Sequence, residues 1–126
     1  MKKIITTEKA PAPIGPYSQA VMINNMLFTS GQIAFNPESG DLLLDNIQTE
    51  THQVMKNLEA VLAEANMNFE NVVKASIFIA DMDDFSAINE AYGSYFNNDI
   101  APARETVQVA RLPKDVNVEI SMIAVK

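Results

Sequence analysis

Arg104 and Glu119 are the residues of this 126-residue chain whose types could carry out chemistry together. A planar guanidinium can hold a small carboxylate by two parallel hydrogen bonds, which the point charge of lysine does less well. A glutamate carboxylate can orient or deprotonate a water molecule. Together the two groups could fix a small acid and direct water onto it. A structural ion pair, or two unrelated surface charges, is the more common arrangement of such residues.

The strand that follows Arg104 sets its direction. In residues 106–110 the valines fall at positions 107 and 109. Arg104, Thr106 and Gln108 therefore point to the opposite face if the strand is regular. Residues 112–115 contain a proline and an aspartate, which interrupt the pattern and predict a turn.

A second strand is predicted from about Val116, and it carries Glu119. Its even positions from 116 to 124 are all apolar, whereas Glu119 and Ser121 share the odd face with Ile123 and Val125. A face turned towards open water would not need these last two residues. We therefore expect this face to lie against another subunit or a cleft.

Two residues of the first third of the chain are further candidates for the site. The proline-rich residues 1–16 predict an irregular lead-in, and residues 15–19 a bend that delivers Tyr17 to a defined place. Two apolar segments, 20–23 and 26–30, flank Asn24-Asn25 and predict a two-residue hairpin. Gly31 follows it and would let a ligand approach the backbone. The alternatives are a packed tyrosine and a glycine bend without a ligand.

Two amphipathic helices are predicted. Apolar residues recur every three or four positions over residues 47–65, with Asp45 or Asn46 as the N-cap, and His52 falls on the polar side as a solvated residue. A strand is predicted over residues 72–80. Asp81, Asp83 and Asp84 then read as the start of a second helix over residues 85–96 rather than as a metal site.

Composition excludes several classes of protein. The chain has no cysteine, which removes thiol nucleophiles and disulfides and fits a reducing compartment. Its formal charge of −7, with nine basic residues that form no cluster, argues against nucleic acid as a partner. Neither a signal peptide nor a membrane span is evident, so we expect a cytoplasmic protein with one domain over residues 1–126.

The order of elements predicts an α+β fold with a sheet of five or six strands. The segment 42–44 fits either a short strand or an apolar anchor, and the number of strands is six or five accordingly. Two helices cannot cover both faces of such a sheet, so we expect both on one face and oligomerisation on the other.

The chain resembles the RidA/YjgF/YER-type reactive-intermediate deaminases in several motifs that occur in the family's order. These are APIGPYSQA at 12–20, SGQI at 30–33, PAR at 102–104, VARLPKDV at 109–116 and VEI at 118–120. The resemblance spans the whole chain. It implies a chorismate-mutase-like homotrimer with a site in each of three clefts between subunits. It also implies cofactor-free hydrolysis of 2-iminopropanoate and 2-iminobutanoate, released by pyridoxal-phosphate-dependent dehydratases, to 2-keto acids and ammonia.

The resemblance also assigns roles to individual residues. It makes Arg104 the carboxylate-binding arginine and Glu119 the water-positioning glutamate. It places four other residues at the pocket: Tyr17 in the cleft, Gly31 as a backbone contact, Asn89 from the second helix and Thr106 as a further ligand contact.

Two departures from the family pattern bear on activity. Glu105-Thr106 stands where a serine-cysteine or other small pair is common, and Ala101 where an aromatic residue is common. Glu105 should face away from Arg104, yet an adjacent acid could weaken the capture of an anion. A non-catalytic, carboxylate-binding or regulatory trimer is therefore the alternative hypothesis. Ribonuclease activity fits an acidic chain with one histidine poorly.

Overall fold

The computed structural model describes residues 1–126, which form one six-stranded sheet and two α-helices. Along the chain the elements are β1 (Lys3–Ile5), β2 (Ala20–Ile23), β3 (Met26–Thr29), α1 (Ile47–Glu64), β4 (Val72–Ile79), α2 (Phe85–Gly93), β5 (Ala103–Gln108) and β6 (Val118–Val125). Neither helix is both long and apolar enough to span a membrane.

The strands lie in the order β1-β2-β3-β6-β4-β5. Neighbouring strands are antiparallel, except that β4 and β5 run parallel. The last strand in sequence, β6, is therefore central, while β5 forms an edge. Glu119 thus lies on a central strand and Arg104 on an edge strand.

Both helices cover one face of the sheet, here called the inner face. Val54, Leu58 and Leu62 of α1 are fully buried, and they share one apolar core with Val118 and Ile120 of β6. Ile88 and Tyr92 of α2 belong to the same core. The predicted α+β architecture, with both helices on one side, is confirmed.

The opposite face, here called the open face, has no helix over it. It exposes large apolar side chains at its surface: Ile4 by 48%, Ile23 by 41%, Phe28 by 40% and Val107 by 40%. Burial of such side chains is worth about 1.5–3 kcal/mol each, so a contiguous exposed set is typical of a surface that another protein covers.

Several local predictions are confirmed. Asn24 and Asn25 connect β2 to β3, and Asn24 adopts a left-handed φ of 53°. Asn46 caps α1, its Oδ1 accepting from the Thr49 N–H at 2.8 Å. The Asp81 side chain accepts from the Asp83 N–H, which starts the turn leading into α2.

Other predictions need correction. The lead-in contains β1, which pairs with β2 because Ile5 enters the core. The segment 42–44 makes only a single bridge to Phe35, so it is not the sixth strand. Strand β5 begins earlier than predicted, at Ala103, and β6 later, at Val118; α2 ends at Gly93.

His52 was predicted to be solvated, and this is wrong. Its Nδ1 lies 2.8 Å from the Tyr95 hydroxyl, and the two rings stack at a tilt with centroids 5.6 Å apart. The turn after α2 brings Tyr95 onto α1, a contact that the helical pattern of α1 could not reveal.

Candidate functional site

A cavity lies between the lead-in, the segment after β3 and the start of β6. Its volume is about 350 Å³. Tyr17, Gly31 and Glu119 line it together with nine other residues. Three of the six residues predicted for the site therefore meet in one place.

Glu119 and Gly31 are in close contact in this cavity. A Cβ atom built on Gly31 would lie 2.6 Å from Oε2 of Glu119 and 2.7 Å from its carboxyl carbon. Real Cβ atoms do not approach other atoms so closely, so any side chain at position 31 would displace the Glu119 carboxyl. The close approach of the Glu119 carboxyl thus explains why position 31 suits a glycine.

Glu119 is partly buried and has neither an ion-pair partner nor a hydrogen bond from another residue of the chain. Burial raises the pKa of its carboxyl above the usual 4.5, since leaving water disfavours the charged form. A carboxyl with a raised pKa is a better proton acceptor when it is ionised.

Tyr17 is 48% exposed at the mouth of the cavity, and its hydroxyl accepts from the Ile14 N–H at 3.3 Å. This contact holds the Tyr17 ring against the bend at residues 15–19, which was predicted to fix its position. The hydroxyl can still donate to a ligand, because that bond uses only one of its acceptor sites.

Arg104 lies elsewhere, on the inner face against α2. Its Nη1 donates to Oδ1 of Asn89 at 2.6 Å, and its Cζ lies 5.2 Å from the Tyr92 ring centroid and 5.7 Å from that of Phe85. No carboxylate pairs with it. A structural ion pair with Glu119 of the same chain is therefore excluded, and most of the guanidinium N–H groups remain able to donate to an anion.

Two buried hydroxyls without partners belong to residues beside Arg104. They are those of Tyr92 on α2 and Thr106 on β5. Burial raises the pKa of Tyr92 to about 12, although the Arg104 charge opposes this increase. The phenol is therefore neutral at physiological pH. Because buried polar groups are normally hydrogen-bonded, an unmet donor of this kind suits a site that is completed by another molecule.

Glu105 points away from Arg104, as the strand alternation predicted. It lies on the open face, where its carboxylate pairs with Lys74 Nζ at 2.7 Å and accepts from the Ser76 hydroxyl. Its hydrogen bonds from Lys74 and Ser76 lower its pKa. The acid next to Arg104 in sequence is thus on the other side of the sheet.

The predicted site residues therefore form two separate groups. Tyr17, Gly31 and Glu119 line the cavity, while Arg104, Asn89 and Thr106 lie between β5 and α2. In the register of the sheet, Arg104 faces the same side as Ala75, whereas Glu119 faces the same side as Phe78. Strand β4 lies between them, which adds about 10 Å. One small acid cannot contact both groups in a single chain.

The contact of Phe85 and Tyr92 with Arg104 was not predicted from the sequence. The signal was present in the spacing of α2, because Phe85, Asn89 and Tyr92 follow one another at intervals of four and three residues. They lie on one helix face. Strand β5 carries Arg104 next to that face.

The family model described as Endoribonuclease L-PSP matches residues 7–126 of this chain. The chain belongs to this family, the YjgF/RidA family. The predicted resemblance is thereby confirmed.

Known YjgF/RidA proteins are similar to this chain over nearly their whole length. A RutC family protein of Synechocystis is 53% identical over 124 residues, covering 98% of this chain and 95% of the relative. The mouse 2-iminobutanoate/2-iminopropanoate deaminase is 46% identical, covering 100% and 93%. The structure of Escherichia coli TdcF with bound serine has a TM-score of 0.93 at 43% identity, covering 98% of both chains.

The substitution Gly31→Ala tests the contact with Glu119. The added methyl group must push the carboxyl aside, and a misplacement of about 1 Å can cost about a hundredfold in rate. We expect kcat/KM for the hydrolysis of 2-iminobutanoate, the reaction that the resemblance predicts, to fall by roughly that factor. The control is Gly40→Ala, where φ is +78° and nothing lies within 4 Å; backbone strain should lower its melting temperature without changing kcat/KM. Equal loss of activity in both variants would contradict the steric role of Gly31.

Proposed function

We propose that the protein hydrolyses small 2-imino acids, among them 2-iminopropanoate and 2-iminobutanoate, to 2-keto acids and ammonia. The site takes Arg104 from one copy of the chain and Glu119 with Tyr17 from a neighbouring copy. The assembly is a homotrimer with three such sites. The mouse relative named for this activity supports the reaction, as does a related structure that holds serine, itself a small α-amino carboxylate.

One observation carries the inter-subunit site. The anion-binding group and the carboxyl that could activate water lie on opposite faces of one sheet, and neither has a charged partner in its own chain. Each half is incomplete alone. Burial of the exposed apolar open face against a second copy would bring the Glu119 half of one chain towards the β5 edge of the next, and a closed ring would repeat this contact.

Binding begins with the carboxylate of the imino acid. The Arg104 guanidinium, held by Asn89 and by the rings of Phe85 and Tyr92, offers its remaining N–H groups to the two carboxylate oxygens. This arrangement fixes the plane of the substrate and thereby the direction from which water can reach the C=N carbon. The Gly31 backbone leaves room for that carbon beside Glu119.

Hydrolysis needs only water and one proton acceptor. The Glu119 carboxylate takes a proton from water while the water oxygen forms a bond to the carbon of the protonated imine. The product of this step is a tetrahedral amino alcohol. Glu119 then returns the proton to the nitrogen. The C–N bond then breaks as the hydroxyl becomes a carbonyl, and the departing ammonia takes the hydroxyl proton. One protonated imino acid and one water thus yield one keto acid and one ammonium ion.

The sharpest test is complementation between two inactive variants. Arg104→Ala and Glu119→Gln are each expected to be nearly inactive. If they are unfolded and refolded together in equal amounts, about a quarter of the inter-subunit sites should combine an intact Arg104 with an intact Glu119. Ammonia and keto acid release from enzymatically generated 2-iminopropanoate should therefore recover to about a quarter of the wild-type rate.

The control mixes the same two variants after separate folding, without subunit exchange. That mixture should stay inactive. A co-refolded protein that is no more active than the mean of its parents, while differently tagged chains co-purify, would contradict the inter-subunit site. A wild-type protein that does not accelerate imine hydrolysis would contradict the proposed reaction itself.

The non-catalytic alternative rested on Glu105 beside Arg104. Glu105 pairs with Lys74 on the open face, which supports the catalytic proposal over this alternative. The descriptive name of the family raises ribonuclease activity again. In this chain the single histidine is bonded to Tyr95 outside the cavity, so no histidine pair is available for acid–base cleavage. Cleavage of RNA by the purified protein, lost in a site variant, would overturn this conclusion.

A further inference from the structure

Helix α1 buries four polar side chains. The Thr51 hydroxyl donates within the helix, to the Ile47 carbonyl at 2.8 Å. The other three side chains form bonds that reach outside the helix, directly or through one another. Glu50 is 0% exposed, Asn57 1% and Gln53 9%. Burial of a charged or amide side chain is unfavourable unless its hydrogen bonds are made, so the partners of these groups are informative. All of the partners outside the helix lie in the two chain segments that line the Glu119 cavity or lead directly into it.

The Glu50 carboxylate binds the start of β6. Its Oε2 accepts from the Asn117 N–H at 2.7 Å and from the Val118 N–H at 3.2 Å, and its Oε1 accepts from the Asn117 side chain at 2.8 Å. The next residue is Glu119. One carboxyl group thus holds the two backbone N–H groups that precede the candidate catalytic carboxyl.

The Asn57 amide binds the opposite wall of the cavity. Its Nδ2 donates to the carbonyls of Ile33 at 3.1 Å and Phe35 at 2.9 Å, and both residues line the cavity. Gln53 donates to Oδ1 of Asn57 at 2.9 Å, which orients the amide so that both of its N–H groups reach these carbonyls.

The two anchored segments are joined to each other between the anchors. Gln32 and Ile120 exchange backbone hydrogen bonds of 2.8 and 3.1 Å, next to Gly31 and Glu119. Glu50 and Asn57 are seven residues apart, which is about 10 Å along a helix. A single rigid helix therefore holds the cavity from both sides of this bridge.

We propose that Glu50 and Asn57, with Gln53 orienting Asn57, are positioning residues for the Glu119 carboxyl. They fix the distance between the start of β6, which carries Glu119, and the cavity wall at Ile33 and Phe35. None of the three touches the cavity surface, since no one of them is among its lining residues. Only the kinetic consequence of this proposal rests on the proposed function; the geometric consequence does not.

The alternative is that these side chains only stabilise the fold. The two explanations differ in the state of Glu119. Its pKa is raised by burial, so an opened cavity wall should let water in and move that pKa back towards 4.5, whereas a general loss of stability should leave it unchanged. Asn57→Ala and Gln53→Met do not change the charge of the protein, so a shift would report hydration of Glu119 and not a lost neighbouring charge.

The experiment is a titration of Glu119 by ¹³C NMR in protein labelled at the glutamate carboxyl carbons, with Glu119→Gln used to assign the signal. Asn57→Ala should shift the Glu119 pKa downwards, and Gln53→Met should shift it less in the same direction. The matched control is Val61→Ala on the same helix, which is fully buried, opens a core cavity and removes no hydrogen bond to either segment. It should lower the melting temperature and leave the Glu119 pKa at its wild-type value.

Kinetics give the second measurement. We expect Asn57→Ala and Glu50→Gln to lower kcat/KM for 2-iminobutanoate about tenfold or more, because the carboxyl is misplaced, while Val61→Ala stays near wild type. Identical Glu119 titrations in wild type, Asn57→Ala and Gln53→Met would overturn the positioning role; if Asn57→Ala does not fold, Gln53→Met decides alone. If neither the wild type nor any of these variants hydrolysed the imine, the proposed function would be contradicted. The titration would still test the positioning role.

Discussion

Replacing Arg104 by alanine is expected to lower kcat/KM for 2-iminobutanoate by about two to four orders of magnitude. A hydrogen bond to a charged group is worth about 1.5–3 kcal/mol, and a two-pronged contact with a carboxylate loses two of them. Arg104 has no carboxylate partner in its own chain, so its removal leaves no buried charge behind and the loss reflects the substrate. The measurement is the initial rate of ammonia release at low imine concentration.

Calorimetry separates binding from turnover in this variant. Arg104→Ala should no longer bind 2-ketobutyrate, whereas Arg104→Lys should bind it weakly, since lysine keeps the charge but not the planar pair of donors. Lys56→Ala is the control for net charge, because Lys56 is an exposed residue of α1. A ketobutyrate affinity that is the same in wild type and Arg104→Ala would remove Arg104 from the site.

The second large effect is expected for Glu119→Gln, which should lower kcat by about a thousandfold. General acid–base catalysis contributes about 10²–10⁴-fold, and glutamine keeps the shape of the side chain but cannot take a proton from water. Affinity for 2-ketobutyrate should change little, because Arg104 binds the carboxylate. The wild-type rate should also fall as the pH drops through the raised pKa of Glu119, since protonation removes the base.

Stability provides the control for this variant. Because the pKa of Glu119 is higher in the folded state, its protonated form favours folding below pH 4.5, and that contribution is lost as the pH rises through the raised pKa. Glu119→Gln removes this loss, so at pH 7 its free energy of unfolding should equal or exceed that of wild type. Glu64→Gln, on the exposed end of α1, should change neither rate nor stability. A destabilised Glu119→Gln, or one with a wild-type rate, would contradict the assigned role.

The fold was largely predictable from local pattern. Alternation along residues 116–125 placed Glu119 opposite the apolar row, and the structure has the row buried and Glu119 on the open face. The three- and four-residue spacing predicted α1, and Asn24-Asn25 predicted the hairpin. These signals are reliable because each depends on neighbours within one element, where side-chain direction follows from backbone geometry.

The errors have a common cause. Strand β1 has only three residues, and it exists because it pairs with β2. His52 looked solvated because the residue that covers it, Tyr95, comes from a different part of the chain. Neither partner can be identified from a pattern within one segment, since pairing between distant segments is decided by the packing of the whole domain.

The sequence alone determined which residues could do the chemistry and which side of its own strand each one faces: Arg104 away from Glu105, and Glu119 away from the core. Only the tertiary structure decided how those faces relate. The insertion of β4 between β5 and β6 separates Arg104 from Glu119 and puts them on opposite sides of the sheet. It also brings Gly31 against Glu119 and Asn89 against Arg104. Alternation is a property of one strand, whereas strand order is a property of the folded chain. This order keeps Arg104 and Glu119 apart within one copy, as the proposed inter-subunit site requires.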